Sequence, residues 1–381
     1  MTWINFLHFY QPANADDYKI KEALEYSYLR LLRALEEHPE IKFTINISGC
    51  LLLRLNLIQP DFISRLRKLV NCGQIELVGS AAYHALLPLV SEDEVRRQIK
   101  ENEEILQKFF GFEFQPRGFF LPEMAYSSGV AKIIKDFGYE WLILDEISGA
   151  GRLRQIDNRQ IYQDKNSGLK VIFRSREFSS CYVPDNLVDF FKKTDTVITA
   201  TDAELYGLRH KDPTGELEKA LRDKSWTTKS VSDCIDNSLG AEVIEIVASN
   251  WESTEKELRQ GEPYALWSGR HNKLQRRLWK LANLASVLIE KYRMDDNYVW
   301  ARWHLVRGLA SCTFWWASSR DFSHNFGPHA WNPDEIERGV NELVRAVRSL
   351  HQSTPRRSKI MAEKLYIKIK RLIWKKHWGQ V

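Results

Sequence analysis

Carboxylates and polar side chains recur where short apolar runs end. His8 and Gln11 follow the run 3–9, Glu76 lies within 75–78, Glu123 follows 118–121, and Asp145 and Glu146 close 141–145. Arg174 and Arg176 close 170–174, and Asp202 and Glu204 follow 196–201. If these runs are parallel strands of a barrel, the groups gather at one rim, where such folds place their chemistry. With no GxxxxGK[ST] and no GxGxxG after a strand, the set suits a polyhydroxylated neutral substrate better than a phosphate. It also supplies the two carboxylates that glycoside hydrolysis requires. Asp321, His324 and His329 in DFSHNFGPHAW invite a metal reading. The loop between the two histidines contains Gly327 and Pro328 and cannot present both imidazoles on one helix face, so neither a metal nor a cofactor is expected.

The elements that must position these groups are strands near 3–9, 42–48, 75–78, 118–121, 141–145, 170–174, 196–201 and 242–248, separated by helical segments. Eight such runs fit a closed or nearly closed barrel. Ser91 and Glu94 form a capping box ahead of Val95, Ile99, Leu106 and Phe109, which predicts a helix over 91–110. After about residue 255 the strand signals stop, and helices are predicted over 270–292, 296–319, 334–352 and 357–376. The expected organisation is an α/β barrel domain over 1–255 and a helical bundle over 256–381 that completes the cleft. Trp251, Trp267, Trp279, Trp300, Trp303, Trp315, Trp316 and Trp331 crowd into this second part, where most are expected to seal the bundle against the barrel and some to face a ligand.

The chain of 381 residues is 44% hydrophobic and 28% charged, which excludes disordered and low-complexity classes. Its net charge of +5 is unevenly spread. From Pro355 onward nine Lys or Arg face only Glu363, a surplus of eight, so the preceding residues sum to −3. The basic pI therefore describes the segment 356–381, and no nucleic-acid partner is expected. Ile360, Leu365, Ile369 and Leu372 give that segment a helical stripe, read first as the last helix of the bundle with a solvated cationic face; membrane or polymer contact is the competing reading. The N-terminus carries no secretory pattern, no run is long enough to span a membrane, and five scattered cysteines without CxxC indicate reduced thiols. A cytoplasmic protein is expected.

Four segments then carry a resemblance. Leu7-His8-Phe9-Tyr10-Gln11-Pro12, Gly73-Gln74-Ile75-Glu76-Leu77-Val78-Gly79 with its continuation Tyr83-His84 to Leu86-Leu87-Pro88, Gly118-Phe119-Phe120-Leu121-Pro122-Glu123, and Asp202-Ala203-Glu204-Leu205-Tyr206-Gly207 stand in order. Together they resemble the motifs of glycoside hydrolase family 57, retaining α-glucan-active enzymes that include α-amylases, 4-α-glucanotransferases, branching enzymes and amylopullulanases. Ser311-Cys312-Thr313-Phe314-Trp315-Trp316 is a looser match. The resemblance implies an incomplete (β/α)7 barrel followed by a helical region, with Glu123 as nucleophile and Asp202 as general acid/base. It also implies sugar contacts from His8, Gln11, Glu76 and Phe120, and His210, Trp267 and Trp316 are candidates for the lip. Phe120 stands where the family often has Trp, and Leu208 and Arg209 intervene before His210.

Each of these residues also has a plainer reading. His8 could be a satisfied core histidine. Glu76 could pair with an arginine such as Arg174, Glu204 could form an ion pair, and Asp145 and Glu146 could be solvated rim charges or loop caps. The competing functions are a glycan-binding protein on a degenerate catalytic scaffold and a zinc-dependent polysaccharide deacetylase, which would need His and Asp ligands at the rim.

Overall fold

A computed structural model describes residues 1–238, 240–320, 322, 331–351 and 356–379. The chain separates into two units, the first made of 1–11, 15–82 and 87–259 and the second of 12–14, 83–86 and 260–381.

In the first unit, β1 (Thr2–Phe9) has Trp3, Ile4, Phe6, Leu7 and Phe9 fully buried, the composition of a parallel strand covered on both faces. It lies between β2 (Phe43–Ile47) and β8 (Thr196–Asp202), and β3 (Ile75–Val78) extends the sheet in the order β3-β2-β1-β8. The short β9 (Thr227–Thr228) pairs with the start of β1. A second sheet runs β10 (Glu242–Ile244), β6 (Tyr162–Asp164), β7 (Lys170–Arg174), β5 (Trp141–Asp145), β4 (Gly118–Phe119), with β6 antiparallel to β7.

The predicted single ladder is thus divided in two. The sheets meet at two narrow seams. At one, Gly79 and Phe119 form a parallel bridge, with Gly79 N–H donating to Gly118 C=O at 2.9 Å. At the other, Ser175 N–H donates to Ile198 C=O at 3.1 Å. Gly118 is required within the second sheet, where a Cβ would fall 2.1 Å from the ring of Trp141, its register partner on β5. The eighth predicted strand keeps only 242–244 and pairs with β6. Its residues Glu242 and Val243 are exposed, so no apolar face holds it in the main sheet.

The interior between the sheets is packed by Ile4, Phe6, Phe120, Trp141, Ile172 and Ile198. Val231 and Ile235 join them from the helix Val231–Asp236. The N-terminal N–H groups of that helix need acceptors, since a helix start leaves them unpaired. Val231 N–H donates to Thr44 Oγ1 at 2.9 Å and Ser232 N–H to Glu76 Oε2 at 3.1 Å. Outside the strands, the helix Glu92–Phe110 starts at Ser91, whose hydroxyl accepts Glu94 N–H as the capping pattern predicts.

The second unit is built on the helices Lys273–Lys291, Tyr298–Gly308, Pro333–Ser349 and Arg356–Trp378. The predicted helix 296–319 breaks after Gly308 and resumes at Ser311–Trp315. The break is tertiary in origin, because Ala85 bridges Ala310 and Ser311 N–H donates to His84 C=O at 2.9 Å. His84, at φ 57°, also places its Nδ1 2.9 Å from Ser311 Oγ. Within this unit, two stretches singled out by resemblance, 83–86 and 311–316, are therefore in contact. Among the described residues no helix is long and apolar enough to cross a membrane.

Candidate active site

Parallel register sets the row on which the site is built. His8 lies beside Asn46 on one side and beside Asp202 on the other, all at C-terminal strand ends. His8 Nδ1 is 2.8 Å from Asn46 Oδ1, and the ring stacks on Phe120 at 4.5 Å between centroids. Burial pushes the imidazole from its ordinary 6.5 down to about 4, although the Asp202 charge and the Asn46 hydrogen bond act upward. His8 is therefore neutral at neutral pH. Between pH 6.5 and 4 the unfolded chain binds a proton that the folded chain does not, so stability falls as the pH drops through this window. The expected total is about 3 kcal/mol, and His8→Gln should flatten that part of a plot of urea midpoint against pH.

Glu123 reaches the same row from the other sheet. Its backbone is left-handed, at φ 60° and ψ 17°, and Met124 follows at φ 48°. Such angles cost a non-glycine residue about 1–3 kcal/mol and persist only where the surroundings impose them. Here Met124 N–H donates to Leu121 C=O at 2.7 Å and Trp251 N–H to Glu123 C=O at 3.2 Å, while the Met124 side chain is fully buried. Trp251 holds the residue a second time, its indole Nε1–H donating to Glu123 Oε2 at 3.1 Å. The indole also meets His8 and Phe120 edge-on, each at 6.1 Å.

Beneath Trp251 lies a charged brace. Arg174 sits 5.2 Å from the indole ring centroid and donates to Ala200 C=O at 2.7 Å. Its Nε bonds Asp145 Oδ2 at 2.9 Å, and Arg176 bonds the same carboxylate from NH2 at 2.7 Å.

On the Asp202 side, Arg209 NH1 donates to Oδ2 at 2.6 Å. Glu204, 1% exposed, accepts from Tyr28 Oη and, at 3.1 Å, from Gln11 Nε2. Burial pushes its carboxyl up and the Asp202 charge adds to that, while Arg209 and the Tyr28 bond act downward. Gly207 closes the turn at φ 115°, where a Cβ would strike Tyr26 C=O at 2.1 Å.

His8, Gln11, Glu123 and Asp202 are thus linked through shared neighbours; of the other sequence candidates Phe120 touches this group and the rest stand apart from it. Phe120 is fully buried under His8 and Phe6, so it supports His8 and offers no face to a sugar, contrary to the stacking expected of it. Glu76 sits level with Thr44, two residues below the His8 row, and accepts from Thr44 Oγ1 at 2.9 Å and from Ser232 N–H. It serves the start of a helix; Arg174, its suggested partner, belongs to Asp145. Asp145 and Glu146 are not solvated rim charges, being 0% and 4% exposed. Glu146 does cap loops, accepting Arg154 N–H and Arg176 N–H, each at 2.8 Å. Glu204 is held by hydrogen bonds from Tyr28 and Gln11.

His210 stacks on Tyr182 at 4.2 Å with Nε2 3.6 Å from Asp185. In the second unit Trp267 is fully buried, its carbonyl accepting Trp279 Nε1–H at 2.9 Å, so it is a packing residue and not a lip. Trp316 is partly exposed and lies edge-on to Trp315 at 4.6 Å. Among the described residues no three His, Cys, Asp or Glu side chains gather as a metal site. Asp321, His324 and His329 lie outside the described residues.

Two residues of the site were missed from sequence. Asn46 ends the second strand as His8 ends the first, so the same rule would have found it. Trp251 follows the eighth apolar run as Glu123 follows the fourth, but a tryptophan among so many carried no separate signal.

A family model for glycosyl hydrolase family 57 matches residues 5–246, the span that contains the whole His8 row, Glu123 and Asp202. The chain belongs to glycosyl hydrolase family 57. Among similar proteins is an alpha-amylase of Pyrococcus horikoshii, 34% identical over 149 residues, which are 38% of this chain and 23% of the relative. A 4-alpha-glucanotransferase of Thermococcus litoralis is 28% identical over 149 residues, 38% of this chain and 22% of the relative. The match thus spans under a quarter of the length of these curated relatives. In structure, the Thermococcus litoralis 4-alpha-glucanotransferase aligns with a TM-score of 0.72 at 16% identity, over 92% of this chain and 60% of the other. A branching enzyme of this family from Pyrococcus horikoshii aligns at 0.69 and 16% identity, over 98% and 95%. These structural likenesses show a shared α/β fold with a C-terminal helical region. Within the family 57 fold, Trp251→Phe removes one donor to the Glu123 carboxylate while keeping an aromatic ring. If Glu123 is catalytic, kcat should fall roughly ten- to a hundredfold with KM little changed, read from initial rates.

Proposed function

We propose that this family 57 protein is a retaining hydrolase or transglycosylase acting on α-glucosidic bonds of an α-1,4-glucan. The observation that supports the reading is that Asp202 lies beside neutral His8 in strand register while Glu123 is held by Trp251, whose indole meets the same imidazole edge-on. The two sheets, joined at their two seams, would act as the incomplete (β/α)7 barrel that presents them. The first division of the chain would then be the catalytic domain, near residues 1–255, and the second the helical domain.

In the reaction, the Glu123 carboxylate attacks the anomeric carbon and the glycosidic C–O bond breaks as Asp202 protonates the departing oxygen. Asp202 then takes a proton from water or a sugar hydroxyl, which displaces Glu123 and restores the starting configuration. Trp251 holds Glu123 by its carboxylate and its backbone carbonyl, so the nucleophile is fixed before substrate arrives. Neutral His8, held by Asn46 through Nδ1, keeps an uncharged ring beside Asp202, and Gln11, steered by Glu204, offers an amide to a sugar hydroxyl. Five free thiols and the absence of a spanning helix among the described residues accord with a cytoplasmic setting.

Incubation with maltooligosaccharides and amylose, followed by product-length analysis, tests the proposal. Shorter products alone indicate hydrolysis, a ladder of longer ones indicates transfer, and unchanged chains across all substrates refute it. Proton NMR of the first-formed product should show the α-anomer. Initial release of the β-anomer would overturn the double displacement.

A further inference from the structure

The helix Arg356–Trp378 has two apolar faces, and the bundle uses only one. Ala362, Leu365, Ile369, Ile373 and His377 are buried, with Trp331 Nε1–H donating to His377 Nδ1 at 3.1 Å. The sequence pattern misplaced this stripe: Ile360 is exposed and Ile373 takes the buried position. Cations beside the buried face have partners in the unit. Lys370 pairs with Glu337 at 3.0 Å, Lys359 donates to Leu350 C=O at 2.6 Å, and Lys376 lies over the Trp331 ring at 4.7 Å. The helix's single acid, Glu363, is taken by Arg348 in a two-pronged pair at 2.7 and 2.8 Å.

The opposite face is different. Arg356, Arg357, Lys364, Lys368, Arg371 and Lys375 are exposed, and among the described residues none of them joins an ion pair. Four large apolar side chains share this face: Ile360 at 45% exposure, Met361 at 42%, Ile367 at 50% and Trp378 at 62%. Positions 360, 364, 367, 371, 375 and 378 follow one another at three- and four-residue steps, so they form one line along the helix in which apolar and cationic side chains interleave.

We propose that this face docks the protein on an anionic lipid bilayer, lying in the headgroup plane without spanning it. The charge selects the partner class, since six cations with no acid among them are attracted to a negatively charged surface and screened by salt. The apolar members select lipid over a soluble polyanion. A polyanion would neutralise the cations and leave Ile360, Met361, Ile367 and Trp378 in water, whereas the acyl boundary covers them while the long Lys and Arg chains extend to the headgroups. The helix is already folded and held on the bundle, so docking requires no ordering of a loose segment.

Sedimentation of the full chain with vesicles tests this. Partitioning into phosphatidylcholine vesicles containing roughly one-third phosphatidylglycerol should exceed that into pure phosphatidylcholine by at least about tenfold at low salt, and should weaken as salt rises. The triple variant Lys364→Glu, Arg371→Glu, Lys375→Glu should lose the preference with its melting temperature unchanged. A second variant, Ile367→Ser with Trp378→Ser, should lose vesicle binding while keeping the wild-type retention on immobilised polyphosphate. Equal partitioning of the unmodified chain into neutral and anionic vesicles would overturn the proposal. So would wild-type vesicle binding by the serine variant, which would assign the face to a purely ionic partner.

Discussion

Replacing Asp202 with asparagine should lower kcat/KM on maltooligosaccharides by on the order of 10²–10⁴, the contribution of a placed proton donor and acceptor. Replacing Glu123 with glutamine should cost at least as much, because the covalent route closes without a nucleophile. Both changes keep side-chain size. Glutamine at 123 retains an oxygen for the Trp251 indole, and asparagine at 202 retains one for Arg209, so the fold should survive. Circular dichroism and the urea midpoint supply that control. The double variant should be little worse than the worse single one, since residues that act as a unit are non-additive. Activity within tenfold of wild type in either single variant would remove that residue from the chemistry. Wild-type activity in both would refute the assignment of the pair.

The second large effect concerns stability. Asp145→Ala should destabilise the first unit by about 3–5 kcal/mol, because it leaves two buried or half-buried guanidinium groups without their counter-charge. Asp145 is fully buried and bonded by both Arg174 and Arg176, and its Oδ1 also accepts Ile147 N–H at 3.1 Å. The loss should appear as a lower urea midpoint. Activity in the surviving folded fraction should also fall, because Arg174 braces Trp251, and Trp251 holds Glu123. An Asp145→Ala protein with an unchanged midpoint would show that the ion cluster contributes nothing net. Asp145→Asn, which keeps the shape and one acceptor for Arg174, should fall between the two.

Six of the eight predicted strands form along most of their length and 118–121 keeps Gly118–Phe119, because alternation is not required of a parallel strand and a short run of β-branched and aromatic residues bounded by polar ones is already distinctive. The eighth forms only over Glu242–Ile244, where Glu242 and Val243 are exposed, and stops short of the predicted 248. β6 was invisible because Tyr162–Asp164 is three residues long and exists only through pairing with β7 and β10. The helix over 296–319 broke because a segment more than two hundred residues earlier, around Ala85, takes the hydrogen bonds at Ala310 and Ser311. No local pattern records such a partner.

The same division runs through the site. Strand-end position picked out His8, Glu123 and Asp202, because in a parallel fold chain direction alone sends those residues to one rim. It could not show that Phe120 lies beneath His8, that Glu76 faces a helix start, or that Glu123 is held by Trp251, 128 residues away. For the basic segment, sequence supplied the charge and the helical period, and tertiary packing decided which of two apolar stripes is buried and which faces solvent with the cations. Residue type and order determine what chemistry a chain can offer and at which strand ends. Burial and cross-chain hydrogen bonds depend on residues distant in sequence, and they decide which of the offered groups can reach a ligand.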